Sequence, residues 1–164
     1  MSRYNVGGTA QWLYQLSQGL TENGIENKML VGNCPKDEIE EKRISSINHT
    51  KINGLGPGTN LLSTLIAFFK LRSEIKKFRP DIVNTHTSKA GVLGRLAAKS
   101  IRPSPRVVHT YHGHVFYGYF NPIIEFGVKR IEQFLGLFTD IFFVLGDKVL
   151  KDLKTLHLVN NDNY

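Results

Sequence analysis

The tightest constraint on the fold lies between residues 80 and 156, where short β-branched and aromatic runs alternate with helix-patterned stretches. "DIVNTH" reads as a strand and "SKAGVLGRLAAKSI" as a helix with Ser88 as its N-cap. "RVVHTYHG" is the next strand, and "NPIIEFGVKRIEQFLGLF" a helix opened by Pro122. "DIFFVLG" is a buried-type strand, followed by a last helix, "DKVLKDLKTL". Apolar strands separated by helices point to a parallel sheet, because covering both faces hides such strands from water. The expected fold is therefore α/β, a Rossmann-like doubly wound parallel sheet.

The first half fits this scheme less regularly. "GGTAQWLYQLSQGLTENG" patterns as a helix with Trp12, Leu13, Leu16 and Leu20 on one side and Gly24 as its stop. "IENKMLVG" and, more weakly, "KRISSI" are strand candidates. After the turn-rich "NGLGPGTN", residues 61–78 form an amphipathic helix, with Lys70, Arg72, Lys76 and Lys77 set opposite Leu65, Phe68, Leu71 and Ile75. Such a sheet normally opens with a central strand feeding a glycine-rich turn. Here "MSRYNVGG" begins at the turn, so the first strand is expected to be missing.

Ligands of open α/β sheets bind beyond the carboxyl ends of the strands. Four of the six histidines, His86, His109, His112 and His114, fall at or near two such ends. His109 lies inside its strand and reads as a core residue. His112 and His114 lie just past the strand and His86 closes the preceding one, so a shared cleft is expected. An imidazole there can hydrogen-bond a sugar hydroxyl or help neutralise developing charge. Ser88 and Lys89 stand at a helix start, where backbone donors and a cation suit a phosphate or carboxylate. Gly91 and Gly94 read as close-packing positions and Arg95 as a solvated helix residue. Gly7 and Gly8 open a helix, where bare backbone N–H groups favour anions, although a plain strand-to-helix turn explains them equally well. Their spacing is not G-x-G-x-x-G, so no dinucleotide fingerprint is present. No cysteine or H-E-x-x-H pattern completes a zinc set around "HTYHGH", and no metal is expected.

Composition narrows the classes further. Of the residues, 41% are hydrophobic and 21% charged, which is the globular range. The longest apolar-rich stretch, "LLSTLIAFF", is less than half the roughly 20 residues of a membrane-spanning helix. The single cysteine, Cys34, excludes an internal disulfide and fits a reducing compartment, so a cytoplasmic location is expected. The formal charge of +7 favours an anionic partner. Nucleic acid is not the expected one, because aromatics and cations sit in separate segments rather than interleaved. The basic 61–78 helix and the aromatic "VFYGYF" make an anionic membrane surface a candidate partner.

Taken in order, "RYNVGGTAQWLYQLSQGL", "RPDIVNTHTSKAGVLGRLAAK", "RVVHTYHGHVFYGYF" and "FTDIFFVLGDKVLKDL" resemble the N-terminal domain of family-4 glycosyltransferases with the GT-B fold. The resemblance covers nearly the whole chain, read as one domain over residues 1–164. It implies an acceptor-binding half of a two-domain enzyme whose donor domain lies outside this sequence. The implied activity is retaining transfer from a nucleotide-sugar to a glycan or lipid-linked acceptor in polysaccharide or cell-envelope glycan synthesis. It also implies no cofactor and no metal, and the composition and basic helix above add the expectation of a cytoplasmic place, with the inner face of the membrane as a candidate peripheral site. By the same resemblance, Gly7 and Gly8 would approach the donor, and His112 would contact the transferred sugar and assist catalysis. His86, Lys89 and His114 would lie on the acceptor side. Two alternatives stay open: a sugar-nucleotide epimerase of the same fold, and a non-catalytic module binding anionic glycan or lipid.

Overall fold

In the computed structural model the described residues are 1–58, 60–113 and 122–159, with Pro122 and Ile123 described by backbone alone. The chain divides into a unit spanning Met1–Leu71 and a second spanning Arg72–Tyr164.

In the first unit, helix α1 (Gly8–Glu22) follows the turn at Gly7 and buries Ala10, Leu13 and Ser17. Ala10 and Leu13 join Tyr4, Ile44 and Val31 of strand β1 (Met29–Gly32) in a small core. The buried Tyr4 hydroxyl donates to Ala10 O at 3.0 Å, so the ring is hidden without stranding its polar end. Residues 1–4 form no regular strand. Their start instead lies against β1, with Gly32 N donating to Met1 O at 3.0 Å.

"KRISSI" is not a strand. Lys42–Ser46 is a 3-10 helix, closed by Ile44 N to Glu41 O at 3.2 Å. The Glu41 carboxylate accepts from Arg43 N and from the Arg43 guanidinium, which makes the tight turn self-supporting. The parallel partner of β1 is β2 (His49–Ile52), in register Met29↔His49 through Gly32↔Ile52. Its four residues are too few for an alternating pattern to stand out.

Helix α2 (Leu61–Phe78) runs from the first unit into the second. It buries Ala67, Leu71 and Ile75. Leu65 is not on that side, as the sequence suggested. It is 48% exposed and shares the outer face with Leu61, Leu62, Ile66 and Phe69. At 100° per residue, Arg72, Lys76 and Lys77 continue this face, so it is apolar in the first two turns and basic in the last two.

The second unit is built on a parallel sheet of order β3-β4-β5, from β3 (Ile82–His86), β4 (Arg106–Tyr111) and β5 (Ile141–Val144). Helix α3 (Ser88–Lys99) connects β3 to β4 and packs on both. Close approach explains its glycines: a Cβ on Gly91 would come within 2.7 Å of His109 Cε1, and one on Gly94 within 2.8 Å of Thr85 Cγ2. Helices α4 (Pro122–Gly136) and α5 (Asp147–Thr155) follow β4 and β5. Tyr111, Phe142, Val149, Leu153, Leu158 and Val159 form the core cluster on this side. Asp140 fastens the two later strands, accepting from Val107 N at 2.6 Å and from Lys99 Nζ at 3.0 Å.

Arg95 is not solvated. It is 0% exposed, and its Nη2 donates to both oxygens of Glu132 on α4, at 2.8 and 2.7 Å. Its Nε donates to Gly91 O at 3.0 Å, and the Tyr111 hydroxyl donates to Glu132 Oε2 at 2.9 Å. One buried network thereby joins α3, α4 and β4.

Candidate functional site

The parallel register builds the site. His86 is the last residue of β3 and pairs with Thr110 of β4. Side chains two residues apart along a strand share a face, so His112, two positions beyond Thr110, comes out beside His86. Thr85 and His109, one residue back on each strand, share the opposite face, toward α3. There the Thr85 hydroxyl lies 2.8 Å from His109 Nδ1. The alternation thus sorts the histidines into a structural one beneath α3 and a pair at the carboxyl end of the sheet.

In that pair, His86 Nδ1 lies 3.0 Å from His112 Nε2, with ring centroids 5.2 Å apart and the planes tilted by 41°. His86 is 5% exposed, whereas His112 is half-buried. Burial pushes the His86 imidazole well below its ordinary value of 6.5, with the neighbouring His112 acting in the same sense. Burial also lowers His112. Both rings are therefore neutral near pH 7. Two neutral imidazoles in contact share one proton, one nitrogen donating and the other accepting. On β4, the Thr110 hydroxyl donates to Asn84 Oδ1 at 3.0 Å, a further strand-to-strand tie beside the pair.

The chain turns sharply after His86. Thr87, rather than Ser88, is the N-cap of α3, and no side-chain bond caps the helix. Thr87 has φ 65° and ψ 158°, a region that side chains other than glycine rarely occupy. Such strain costs of order 1–3 kcal/mol and clusters at functional sites. Its hydroxyl donates back to His86 O. Ser88 becomes the first helical residue and is exposed. Lys89 follows, partly buried, and burial lowers the pKa of its ammonium. A cation and a helix start one to three residues past His86 suit an anionic or hydroxyl-rich ligand.

Gly7 and Gly8 belong to the first unit. Both are exposed at the start of α1, and a Cβ on either would meet nothing within 4 Å. His114 and the "VFYGYF" segment lie outside the described residues. Among the described residues, no three His, Cys, Asp or Glu groups converge as a metal cluster would. The strained Thr87 and the Arg95–Glu132 network were not anticipated. Nothing in "HTSK" marks a strained cap, because strain is a property of the turn geometry and not of the residue type.

A parallel α/β sheet with its polar groups at the carboxyl ends of β3 and β4 defines a Rossmann-like domain. Solved structures agree. The chain superposes on UDP-GlcNAc 2-epimerase from Methanocaldococcus jannaschii with TM-score 0.61 at 16% identity, covering 93% of this chain and 40% of that one. It matches another UDP-N-acetylglucosamine 2-epimerase with TM-score 0.66 at 18% identity, covering 93% and 43%. At such identities the likeness is one of fold.

The sequence is more specific. The family model for Glycosyltransferase Family 4 matches residues 6–163, and the chain belongs to that family. It is 41% identical over 73 residues to the UDP-Gal:alpha-D-GlcNAc-diphosphoundecaprenol alpha-1,3-galactosyltransferase of Escherichia coli, a match covering 44% of this chain and 18% of that protein. The chain thus spans about two fifths of the solved structures it resembles, and its match covers under a fifth of the curated relative.

Proposed function

We propose that the full-length protein transfers a sugar from a nucleotide-diphosphate donor to a glycan or lipid-linked acceptor, with this chain forming the acceptor side. The observation that carries the reading is the His86–His112 pair at the carboxyl end of the sheet, in a chain that belongs to a glycosyltransferase family. An acceptor hydroxyl oxygen bonds to the anomeric carbon as the bond from that carbon to the diphosphate breaks. The nucleoside diphosphate leaves with the electron pair, and the hydroxyl proton passes to its phosphate oxygen. Attack and departure on one face retain the anomeric configuration. Most of the acceleration comes from stabilising the leaving phosphate, which falls to the donor domain. In this reading His112 supports the transferring sugar, and the family resemblance assigns His86, Lys89 and His114 to the acceptor and Gly7 and Gly8 to the donor. The E. coli relative acts on UDP-Gal and a GlcNAc-diphosphate lipid, which makes a UDP-hexose and a diphosphate-lipid acceptor the first pair to try. Incubation of the full-length protein with a panel of nucleotide sugars and such an acceptor should give a lipid heavier by one sugar, read by mass spectrometry. Conversion of the nucleotide sugar to its epimer without transfer would instead support the epimerase reading.

The outer face of α2 favours a lipid-borne acceptor. Leu61, Leu62, Leu65, Ile66 and Phe69 are exposed in line with Arg72, Lys76 and Lys77, the pattern of a helix resting on an anionic bilayer. No helix among the described residues is long and apolar enough to cross a membrane, so contact would be peripheral. Each near-surface cation contributes about 1 kcal/mol and each inserted Leu or Phe about 1.5–3 kcal/mol. The double variant Leu65→Glu/Phe69→Glu should therefore weaken binding to phosphatidylglycerol vesicles by about 100-fold or more. Equal sedimentation of variant and parent with those vesicles would remove α2 from the membrane contact.

A further inference from the structure

We infer that the outer face of α4, with the lysines of α5 beside it, is where the second unit rests on an anionic lipid bilayer. This surface is distinct from that of α2. Its purpose, meeting a lipid-borne acceptor, rests on the transferase reading above; the contact itself does not. On its inner side α4 packs Val128, Glu132 and Leu135 into the domain. On the other side Phe126, Ile131 and Phe134, with Leu137 in the turn that continues the helix, are between 50% and 79% exposed. At 100° per residue, Phe126, Phe134 and Leu137 fall within about 80° of one another and form one stripe. A helix apolar on both sides is ordinarily buried all round, yet half of this one faces solvent. Contiguous exposed apolar surface of this kind marks a contact site.

Charge selects the occupant. Arg130 lies within the stripe, its guanidinium 5.0 Å from the centroid of the Phe126 ring. The acid at the flank, Glu125, is held by Lys129 at 2.7 Å. Helix α5 runs alongside, tied by Gln133 Nε2 donating to Leu156 O at 3.0 Å, and both helices pack on the cluster around Tyr111 and Phe142. It carries Lys148, Lys151 and Lys154, all exposed, against Asp147 and Asp152. The face is an apolar stripe with a net positive border. A second copy of this chain docked face to face would bring like charges together, which disfavours it. An anionic bilayer suits both parts: acyl chains take the stripe, and headgroup phosphates take Arg130 and the lysines. The long stem of Arg130 lets its charged end stay among the headgroups while Phe126 sinks below it.

Vesicle experiments on the full-length protein test this without any transfer step. Phe134→Trp is a conservative probe, and its added emission should be quenched by brominated phosphatidylglycerol. Phe134→Glu/Leu137→Glu should weaken sedimentation with phosphatidylglycerol vesicles by about 100-fold. Its unfolding midpoint should stay near that of the parent, because both side chains are exposed. Lys148→Glu/Lys151→Glu should weaken the same binding at least about tenfold and leave binding to phosphatidylcholine unchanged. Vesicle binding in which the Phe134→Trp emission stays unquenched, or no vesicle binding at all, would overturn the inference. A dimer that Phe134→Glu/Leu137→Glu dissolves, with no lipid quenching, would give the face to a second copy instead. Quenching by lipid without sugar transfer from any nucleotide donor would uphold the contact and reject the transferase reading. Transfer to a short-chain acceptor without quenching would do the reverse.

Discussion

Replacing Glu132 with alanine is expected to remove about 3–5 kcal/mol of stability, a large part of the roughly 5–15 kcal/mol that holds a domain together. Glu132 is the buried counter-ion of Arg95, whose side chain is 0% exposed. It takes two bonds from Arg95 Nη2 and one from the Tyr111 hydroxyl. Without it, a guanidinium and a phenol are left in an apolar interior, and the penalty is the desolvation of an uncompensated charge rather than the loss of one contact. Arg95 Nη1 is buried with no hydrogen-bond partner, so even the intact pair is not fully satisfied. For that reason the double variant Arg95→Met/Glu132→Leu should recover most of what Glu132→Ala loses, because an apolar pair of similar volume needs no compensation. Denaturant unfolding of the three variants beside the parent measures this directly. A Glu132→Ala change of less than about 1 kcal/mol would mean that water reaches the pair. The network also reaches the site, since α3, which it clasps to α4, begins with the strained cap and Lys89.

Stability should also fall steeply on mild acidification, beginning near pH 6.5. Burial holds His86 and His109 well below the ordinary histidine value, and Arg95 adds to the lowering at His109. A histidine whose folded pKa is depressed stays neutral in the native state while the unfolded chain takes up a proton below about pH 6.5. The unfolded state then binds more protons, so stability rises with pH across that window and is lost as pH falls through it. Each such histidine contributes a slope of about 1.4 kcal/mol per pH unit, and the two together roughly 2.7. Above about pH 7 the curve should be flat on their account. His109→Gln should remove one proton from the slope while keeping a polar partner for Thr85, 2.8 Å from His109 Nδ1 in the parent. Unfolding free energies that stay constant from pH 7 to 5 would show that these rings charge freely in the folded protein.

The parallel α/β architecture was legible because it rests on signals that survive without tertiary context. "DIVNTH", "RVVHTY" and "DIFFV" are apolar runs of strand length between helix patterns, and β3, β4 and β5 lie within them. β2 was missed and Lys42–Ser46 misread because four or five residues carry too little periodicity, and a single Glu41–Arg43 interaction decides the local turn. Arg95 was misjudged by residue type. Its position, four residues after Gly91 and three before Ala98, puts it on the packed face, and only the distant Glu132 makes that tolerable. Leu65 was placed on the wrong side of α2 because nearly all of that helix's first half is apolar, so pattern alone does not say which side meets solvent. At the site, His86 and His112 were both visible as polar residues at strand ends. Their contact was not, because it depends on the inter-strand offset His86↔Thr110, which no local pattern encodes.

The measurement that bears most directly on the central claim is a transfer assay of the full-length protein and its His112→Ala variant. The acceptor would be a diphosphate-linked GlcNAc lipid and the donor a UDP-hexose, with nucleoside diphosphate release and lipid mass followed together. The account predicts one sugar added per diphosphate released. In the variant, kcat should fall by roughly 10²–10³-fold, the range for removing one polar group aimed at developing charge, while the unfolding midpoint stays near that of the parent. Donor turnover without a heavier lipid, or transfer that His112→Ala leaves unchanged, would contradict it.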